Sequence, residues 1–273
     1  MSEKITIVVP VSVKDITRLE CVLLPSINIF FDKNFLQEII LVHQDKIKTD
    51  CDELKERFDK LNIRCVHEKN LCEEPITVRW RRTGWHFQQI LKLLVARFVQ
   101  TEKYLLMDVD CLSINKINKD NLLPGGKSLM SFKNYTGYQS RWVRESRKLL
   151  KLSKVRPMMG ITPQILYKNI VLDLLQYLED LYKIQSGKVL ANNKFTEYSL
   201  YWIYLCNFHD YREYYIEGNL FGSESLFKKS NIELDIVKIF NSDSLFAIIQ
   251  SVRKNANKDI LLLKTKLENL KNE

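Results

Sequence analysis

The sequence of 273 residues has no long hydrophobic run, no paired-cysteine motif and no glycine-rich phosphate loop. Its apolar stretches, such as residues 5–9, fall far short of the ~20 residues that a membrane-spanning helix needs. The first residues also lack the charged, apolar and cleavage regions of a signal peptide. We therefore expect a soluble protein of the cytoplasm.

The six cysteines do not form a CxxC pair, and no set of cysteine and histidine residues has the spacing of a zinc site. A cytosolic chain keeps its thiols reduced. We therefore interpret the cysteines as small buried residues or incidental surface residues. The sequence also lacks the P-loop and the GxSxG motif, so neither a P-loop nucleotidase nor a serine hydrolase is predicted.

The composition is that of a folded, basic protein. Hydrophobic residues make up 45% of the chain and charged residues 27%, which is enough to bury a sizeable core. Lysine and arginine number 42 against 33 acidic residues, which gives a net charge of +9. Such a charge favours anionic partners, namely nucleotides, phosphates, nucleic acid or an acidic membrane surface; solubility alone is the alternative explanation.

Strand and helix signals alternate in the first half of the chain. The predicted strands are residues 5–9, 38–43, 63–67 and 104–107. The predicted helices are residues 15–31, which Pro25 should kink or divide, 50–61 and 85–99. This alternation predicts an α/β fold with a Rossmann-like, mostly parallel sheet flanked by helices.

The pattern is less regular after residue 111, where a helical C-terminal part is predicted. The expected elements are a strand at 128–132, a basic helix at 141–154, a helix at 162–182 capped by Thr162, a helix at 196–206, a strand at 231–240 and a helix at 245–271. Without an internal repeat or a flexible linker, we predict one continuous domain over residues 1–273.

The most informative motif is Asp108-Val109-Asp110, which directly follows the fourth predicted strand. In open α/β sheets, ligands bind beyond the carboxyl ends of the strands. Two carboxylates at i and i+2 can converge on one Mg²⁺ or Mn²⁺, and such an ion commonly binds substrate phosphates. The alternative is a solvated turn with two ordinary aspartates.

Several segments together resemble the GT-A-fold glycosyltransferases, which use nucleotide sugars and carry a D-x-D motif. The similarity is to a poorly characterised bacterial and viral branch of them. The segments are ITIVVP (5–10), EIILV (38–42), GWHFQQILKL (84–93), YLLMDVD (104–110), GITPQIL (160–166) and TEYSLY (196–201).

The resemblance implies a GT-A-like domain that moves a sugar from a nucleotide-sugar donor to an acceptor hydroxyl, in glycan or polysaccharide synthesis. The acceptor is then a glycan, a lipid-linked molecule or another hydroxyl compound. The implied parts are a nucleotide-binding half (1–111), an acceptor-binding half (112–244) and a C-terminal helix (245–273).

The resemblance also assigns donor and metal residues. Asp108 and Asp110 match the motif that binds Mn²⁺ or Mg²⁺ and the donor diphosphate, with Val109 between them. The loop of Pro10, Val11 and Ser12 matches the nucleotide-lining loop after the first strand, and Asp45 takes the place of an acid that contacts base or ribose.

Many metal-dependent members of this group have a late histidine as a further metal ligand, and residues 240–244 contain none. Asp243, His209 or water is left as the third ligand.

Trp85, Gln89 and Lys92 share one face of the predicted third helix, at i, i+4 and i+7. From this face Lys92 can reach a donor phosphate and Gln89 a sugar or base, so we include all three among the donor-binding residues. The alternative is that Trp85 belongs to the core and the polar residues are solvated. Three arginines just upstream suit either phosphate binding or a solvated loop: Arg79, Arg81 and Arg82.

Glu197 is the candidate general base, because a carboxylate beside the acceptor can take the proton of the attacking hydroxyl. Asp210 is the reserve candidate. The alternative is structural, with Thr196 capping a helix and Glu197 in its first turn. A retaining transfer would need no such base.

Residues 141–156 carry seven basic side chains against one acid, Glu145. This segment either binds an anionic acceptor, rests on the inner face of a membrane, or is simply a solvated face. The aromatic side chains of Tyr135, Tyr138 and Trp142 suit sugar stacking or buried packing.

Two other functions compete with sugar transfer. A nucleotidyltransferase that makes sugar nucleotides shares the fold and the acids, but usually has a glycine-rich loop, and residues 10–14 contain no glycine. A non-enzymatic nucleic-acid or membrane binder would explain the positive charge, but no recognised nucleic-acid module is present, so we expect no specific nucleic-acid partner.

Overall fold

A computed structural model describes residues 3–44, 48–72, 83–133, 138–153, 158–218, 220, 232–249 and 256–272. In these parts of the chain, a mostly parallel sheet lies between layers of helices. The predicted α/β class is confirmed.

The strands have the following bounds in chain order: β1 Ile5–Pro10, β2 Leu36–His43, β3 Ile63–His67, β4 Lys103–Leu106, β5 Cys111–Ser113, β6 Ser128–Met130, β7 Phe132–Lys133, β8 Met158–Met159, β9 Gln164–Tyr167, β10 Tyr215–Glu217 and β11 Phe246–Ile248. The helices are α1 Ile16–Arg18, α2 Leu24–Phe30, α3 Lys48–Arg57, α4 Thr83–Leu94, α5 Lys119–Leu122, α6 Tyr138–Leu150, α7 Lys168–Tyr182, α8 Ser186–Asn192, α9 Glu197–Phe208, α10 Tyr211–Tyr214, α11 Ile232–Phe240 and α12 Ala256–Asn272.

The central sheet has the strand order β3-β2-β1-β4-β9. Strand β1 pairs in parallel with β2 and β4, β2 pairs in parallel with β3, and β9 closes the sheet antiparallel to β4. Every residue of β1 is buried, as expected of a strand covered by helices on both faces.

The two faces of the sheet belong to separate hydrophobic cores, because successive side chains of a strand point in opposite directions. Val8, Ile40 and Leu106 face the core that contains α7 and α9. Their neighbours Ile7 and Leu105 face the core formed with the first helices. The sheet is therefore held from both sides, which fixes the positions of its strand ends.

Pro25 divides the first predicted helix, as expected. A π-helical turn over Leu19–Leu23 separates α1 from α2, and Pro25 lies in the first turn of α2. Proline has no N–H to donate to the preceding turn, which accounts for the wider turn at this point.

The predicted helix at 162–182 is wrong in its first turn. Residues Gln164–Tyr167 form β9, and α7 begins only at Lys168. Thr162 does not cap a helix there, and its peptide bond to Pro163 is cis. The buried run Ile165-Leu166-Tyr167 completes the sheet beside β4, and the tertiary pairing overrides the local cap signal.

Two further expectations near the C-terminus are wrong. Ile232–Phe240, predicted as a strand, is helix α11, with Ile236 and Ile239 buried three residues apart. The predicted helix at 245–271 divides: Phe246–Ile248 pair antiparallel with β5, and α12 begins at Ala256. The C-terminal helix is therefore shorter than residues 245–273.

All six cysteines are free thiols, and each is buried or half-buried, as the sequence predicts. Within the described residues, no helix is both long enough and apolar enough to cross a membrane.

A half-buried ion pair joins β2 to β3 away from the ligand-binding edge of the sheet. Arg64 donates hydrogen bonds of 2.7 and 2.9 Å to the carboxylate of Glu38, and a third of 2.6 Å to the carbonyl of Phe98. The Glu38 side chain is 5% exposed and that of Arg64 is 33% exposed. Glu38 therefore depends on Arg64 for its compensating charge.

We expect Arg64→Ala to lower the free energy of unfolding by about 2–3 kcal/mol, less than the ~3–5 kcal/mol for a fully buried pair because Arg64 is partly solvated. Urea unfolding measures this change. Lys55→Ala, which removes an exposed pair with Asp52, is the control and should cost no more than ~0.5 kcal/mol. Equal losses of stability in the two variants would contradict the dependence of Glu38 on Arg64.

Candidate active site

A cleft of about 810 Å³ opens at the carboxyl ends of the parallel strands. Its walls come from the loop after β1, the ends of β2 and β3, the turn after β4, and the helices α4, α6 and α9. Its lining includes ten of the predicted site residues: Pro10, Val11, Ser12, Trp85, Gln89, Lys92, Asp108, Val109, Asp110 and Glu197.

The loop after β1 is fixed by short hydrogen bonds. The backbone N–H of Val11 donates to the carbonyl of Val42 over 2.9 Å, which continues the pairing of β1 with β2. The hydroxyl of Ser12 donates to the carboxylate of Asp15, a buried side chain that also lines the cleft. These two bonds tie the loop to the end of β2 and to Asp15.

The Asp108-Val109-Asp110 turn is held on both sides. The N–H of Met107 donates to the carbonyl of Val8 over 3.0 Å, and the N–H of Cys111 donates to the carbonyl of Asp108 over 2.9 Å. The carbonyl of Asp110 accepts a 2.7 Å bond from Ile249, just after β11. Both aspartates are half-buried at the cleft, which is the placement that the sequence predicts.

Lys92 lies between two carboxylates. Its Nζ is 2.8 Å from Oδ1 of Asp108 and 2.8 Å from Oε1 of Glu197, and the side chain is 2% exposed. Burial alone would lower the pKa of Lys92, but the charges of Asp108 and Glu197 outweigh it and raise that pKa well above its ordinary value. The ammonium is thus engaged by two protein acids, and the contact of Lys92 with a donor phosphate stays a prediction.

Glu197 begins α9 and is almost fully buried. Thr196 is the N-cap of α9 and accepts from Ser199, so the capping interpretation is confirmed. Gln89 accepts a long bond of 3.5 Å from the backbone N–H of Glu197. Burial raises the pKa of the Glu197 carboxyl, and the Lys92 ammonium only partly offsets this effect.

Trp85 and Trp142 meet at the wall of the cleft. Their ring centroids are 5.1 Å apart and the rings are tilted by 47°. Trp85 is 38% exposed, so the alternative that placed it in the core is wrong. Trp85 comes from α4 and Trp142 from α6, two helices that both pack on α9.

Three candidates do not reach the cleft. Asp210 caps α10 and pairs with Arg212 at 2.7 Å, and this arginine lowers the pKa of the Asp210 carboxyl to about 2. His209 packs against Tyr214, and Asp243 is exposed; neither is among the lining residues. They are not placed as metal ligands.

Several predicted residues lie outside the described part of the chain: Asp45, Arg79, Arg81, Arg82 and Tyr135.

The cleft also contains residues that the sequence did not predict as site residues. Gln44 and Glu68 directly follow β2 and β3, so the rule that ligands bind beyond strand ends could have found them. Thr162, whose hydroxyl accepts from the N–H of Asp108 over 3.3 Å, was predicted only as a helix cap.

The described lining suits a divalent cation with few protein ligands. Across the described ranges, no group of three histidine, cysteine, aspartate or glutamate side chains forms a closed metal site. Asp108 and Asp110 nevertheless offer carboxylate oxygens at the cleft, and Lys92 occupies one oxygen of Asp108. Mg²⁺ is typically bound through one or two carboxylates, with water and substrate phosphates completing its coordination.

The fold is that of the GT-A glycosyltransferases. The galactosyltransferase LgtC, solved with donor and acceptor sugar analogues, superimposes with a TM-score of 0.52 at 10% identity, over 96% of both chains. Mouse xyloside xylosyltransferase 1 superimposes with a TM-score of 0.52 at 8% identity, over 92% of this chain and 98% of its own. The bifunctional glycosyltransferase WbbM superimposes with a TM-score of 0.53 at 10% identity, over 99% of this chain but 52% of its own.

Within this fold class, residues 2–269 match the model of DUF6492, described as a family of unknown function, and the chain belongs to that family. No curated protein matches the sequence. At such low identities the structural likeness establishes the fold, and the activity has to be argued from the site.

The Lys92 contacts predict a pH-dependent loss of stability in Lys92→Met. Met fills a similar volume without charge, so Glu197 is left buried beside Asp108, and the free energy of unfolding should fall by about 3–5 kcal/mol at pH 8. Without Lys92, burial and Asp108 raise the pKa of Glu197 further. The folded variant then gains a proton as the pH falls to 5, whereas the unfolded chain, with an ordinary pKa of 4.5, remains mostly ionised. Stability relative to wild type should therefore recover as the pH falls.

Urea unfolding of wild type and Lys92→Met at pH 5 and pH 8 tests this expectation. The double variant Lys92→Met/Glu197→Gln should recover much of the loss at pH 8, because it removes the uncompensated charge. A loss that is independent of pH, or no recovery in the double variant, would show that the ion pair is not the cause.

Proposed function

We propose that this protein is a metal-dependent glycosyltransferase that moves a sugar from a nucleotide-sugar donor to an acceptor hydroxyl. The observation that carries the proposal is the placement of Asp108 and Asp110 at the cleft, directly beyond the end of β4, in a GT-A fold. Ligands of open α/β sheets bind at this edge.

The donor is expected to lie along the strand ends. The loop of Pro10, Val11 and Ser12 and the neighbouring Gln44, which line the cleft at the strand ends, would form the wall for the nucleoside. The described charged lining is mainly acidic, with Lys14 and Lys92 against Asp15, Glu68, Asp108, Asp110 and Glu197. A diphosphate therefore needs a cation to bind here, and Asp108 and Asp110 would hold Mn²⁺ or Mg²⁺. When bound, the ion stabilises the charge of the departing diphosphate.

Glu197 is the residue that we propose as general base. Its carboxylate accepts the proton of the acceptor hydroxyl while that oxygen bonds to the anomeric carbon and the nucleoside diphosphate leaves. The Lys92 ammonium, 2.8 Å from one Glu197 oxygen, favours the ionised form that a base requires. Gln89 and Thr196 hold the start of α9 and so orient the carboxylate.

The competing functions receive less support from the site. The loop after β1 contains no glycine, unlike the phosphate loops of nucleotidyltransferases. The acidic lining of the cleft disfavours nucleic acid there. The cytoplasmic location, a peripheral membrane contact of residues 141–156 and the division of the domain at 111 and 244 stay predictions.

Nucleoside diphosphates should stabilise the protein only when Mn²⁺ is present. For the nucleotide with the matching base, a concentration of 100 times its dissociation constant adds ~2.7 kcal/mol to stability. Asp110→Asn should abolish this increase, because it removes a carboxylate ligand. A thermal-shift panel of nucleoside diphosphates and nucleotide sugars, with and without Mn²⁺, measures the effect.

Asp59→Asn, which changes an exposed acid on a distant turn, is the matched control and should behave as wild type. If no nucleotide shifts the folded wild-type protein, or if Asp110→Asn retains the full shift, the proposed donor site is wrong.

Substitution of Glu197 separates a catalytic from a structural role. Glu197→Gln keeps the size and a carbonyl oxygen for Lys92 but cannot take a proton, so the turnover number should fall by about 10²–10⁴-fold. The nucleotide-induced thermal shift should remain. Transfer is measured as release of nucleoside diphosphate in the presence of acceptor. Unchanged turnover would assign Glu197 to stability alone.

A further inference from the structure

We propose that Cys65 and Cys51 form an oxidisable thiol pair, which a hydroperoxide converts into a disulfide that links β3 to α3. The two residues are 14 positions apart in the sequence and lie in the same hydrophobic core. Cys65 is the thiol that reacts first, and Cys51 is the thiol that closes the disulfide. The site lies outside the cleft, since neither cysteine is among the described residues that line it.

The first step is the contact between the two residues. The thiol of Cys65 donates a hydrogen bond of 3.7 Å to the backbone carbonyl of Cys51. The two thiols also share a hydrogen bond with each other. A disulfide can form only where two thiols are neighbours in the folded chain. The packing of α3 on β3 already meets this condition.

The second step is the difference in access between the two thiols. Cys51 is fully buried, whereas Cys65 is half-buried on β3, the edge strand of the central sheet. A small solute such as a hydroperoxide therefore meets Cys65 before Cys51. The exposed thiol is oxidised first, and the buried thiol then reacts with it from the protein side.

The third step is the polar surroundings of Cys65. A hydrogen bond with Cys51 lowers the pKa of the Cys65 thiol below its ordinary value; the Lys55 ammonium adds to this effect, while burial and Asp52 oppose it. The hydrogen bond with Cys65 and burial together raise the pKa of the Cys51 thiol. The thiolate is the form that attacks a peroxide. The pair therefore combines a nucleophile with a protonated partner.

Cys72 is a half-buried cysteine in a different setting. Burial raises the pKa of its thiol to about 11, so this thiol stays protonated at neutral pH. Partial exposure alone therefore does not make a thiol reactive in this protein. Cys72 is the internal reference against which the reactivity of Cys65 is measured.

The proposed oxidation has two balanced steps. The Cys65 thiolate attacks one oxygen of the hydroperoxide; an S–O bond forms, the O–O bond breaks, and Cys65 becomes a sulfenic acid. Cys51 then attacks the Cys65 sulfur; the S–S bond forms, the S–O bond breaks, and the departing hydroxide leaves as water with the proton of Cys51. Two electrons pass from the thiols to the peroxide, and a thiol reductant reverses the change.

Peroxide treatment of the folded wild-type protein tests the proposal, with peptide mapping in the absence of reductant. We expect one linked peptide that joins Cys51 to Cys65, an intact mass lower by two hydrogen atoms, and reversal by dithiothreitol. Before oxidation, iodoacetamide should label Cys65 about 10-fold faster than Cys72, because the thiolate is the reactive form.

Variants separate the roles of the two thiols and of the neighbouring ammonium. Cys51→Ser should leave Cys65 as a sulfenic acid that dimedone traps, and Cys65→Ser should give neither product. Lys55→Gln should slow oxidation by about 2- to 5-fold, because it removes a charge that favours the thiolate. Lys264→Gln, which changes an exposed lysine of α12, is the charge control and should react as wild type.

The proposal is overturned if peroxide gives no link in the folded wild-type protein, or if Cys65 is linked to a different cysteine. It is also overturned if Cys65 is labelled no faster than Cys72. Circular dichroism confirms that each variant is folded; if Cys51→Ser is not, the wild-type peptide map decides. These measurements use no nucleotide, metal or acceptor, so the thiol pair and the proposed sugar transfer can fail separately.

Discussion

The buried ammonium of Lys92 is the interaction on which the site depends. It brings together a turn of the sheet, through Asp108, and the first turn of α9, through Glu197, from a helix that contributes neither acid. Two carboxylates this close, one of them almost fully buried, would repel each other without a cation between them. Lys92 therefore sets the spacing between the edge that we assign to the donor and the helix that we assign to the acceptor. The same contact explains why a lysine can occupy the buried face of α4.

The position of Lys92 also decides how charge is distributed in the cleft. Since Asp108 and Glu197 both pair with the ammonium, its positive charge is offset within the cleft. The remaining acids, among them Asp15, Glu68 and Asp110, leave the described wall negative. A cation that enters with the substrate, as in the proposed metal-dependent reaction, would offset this negative charge.

The sequence predicted those parts of the molecule whose signals are local. The alternation of strand and helix signals along the chain predicted β1, β2 and β3. The rule that ligands bind at strand ends pointed to Asp108 and Asp110. The sequence could not show that Lys92 and Glu197, which are 105 positions apart, form an ion pair, because such pairing is a property of the folded chain. Local signals also misled where tertiary pairing was stronger. Thr162 and Pro163 have the pattern of a helix start, but the next residues complete the sheet beside β4.

The net charge of +9 gains a physical meaning once its location is known. It is not concentrated in the cleft, whose described wall is acidic, and much of it lies on exposed helices such as α6. Charge inside a narrow cleft acts at short range on the reacting groups, whereas charge at its mouth acts on what approaches. The inner acids would select a cation with its diphosphate, whereas the basic side chains on the exposed helices act on whatever approaches the molecule.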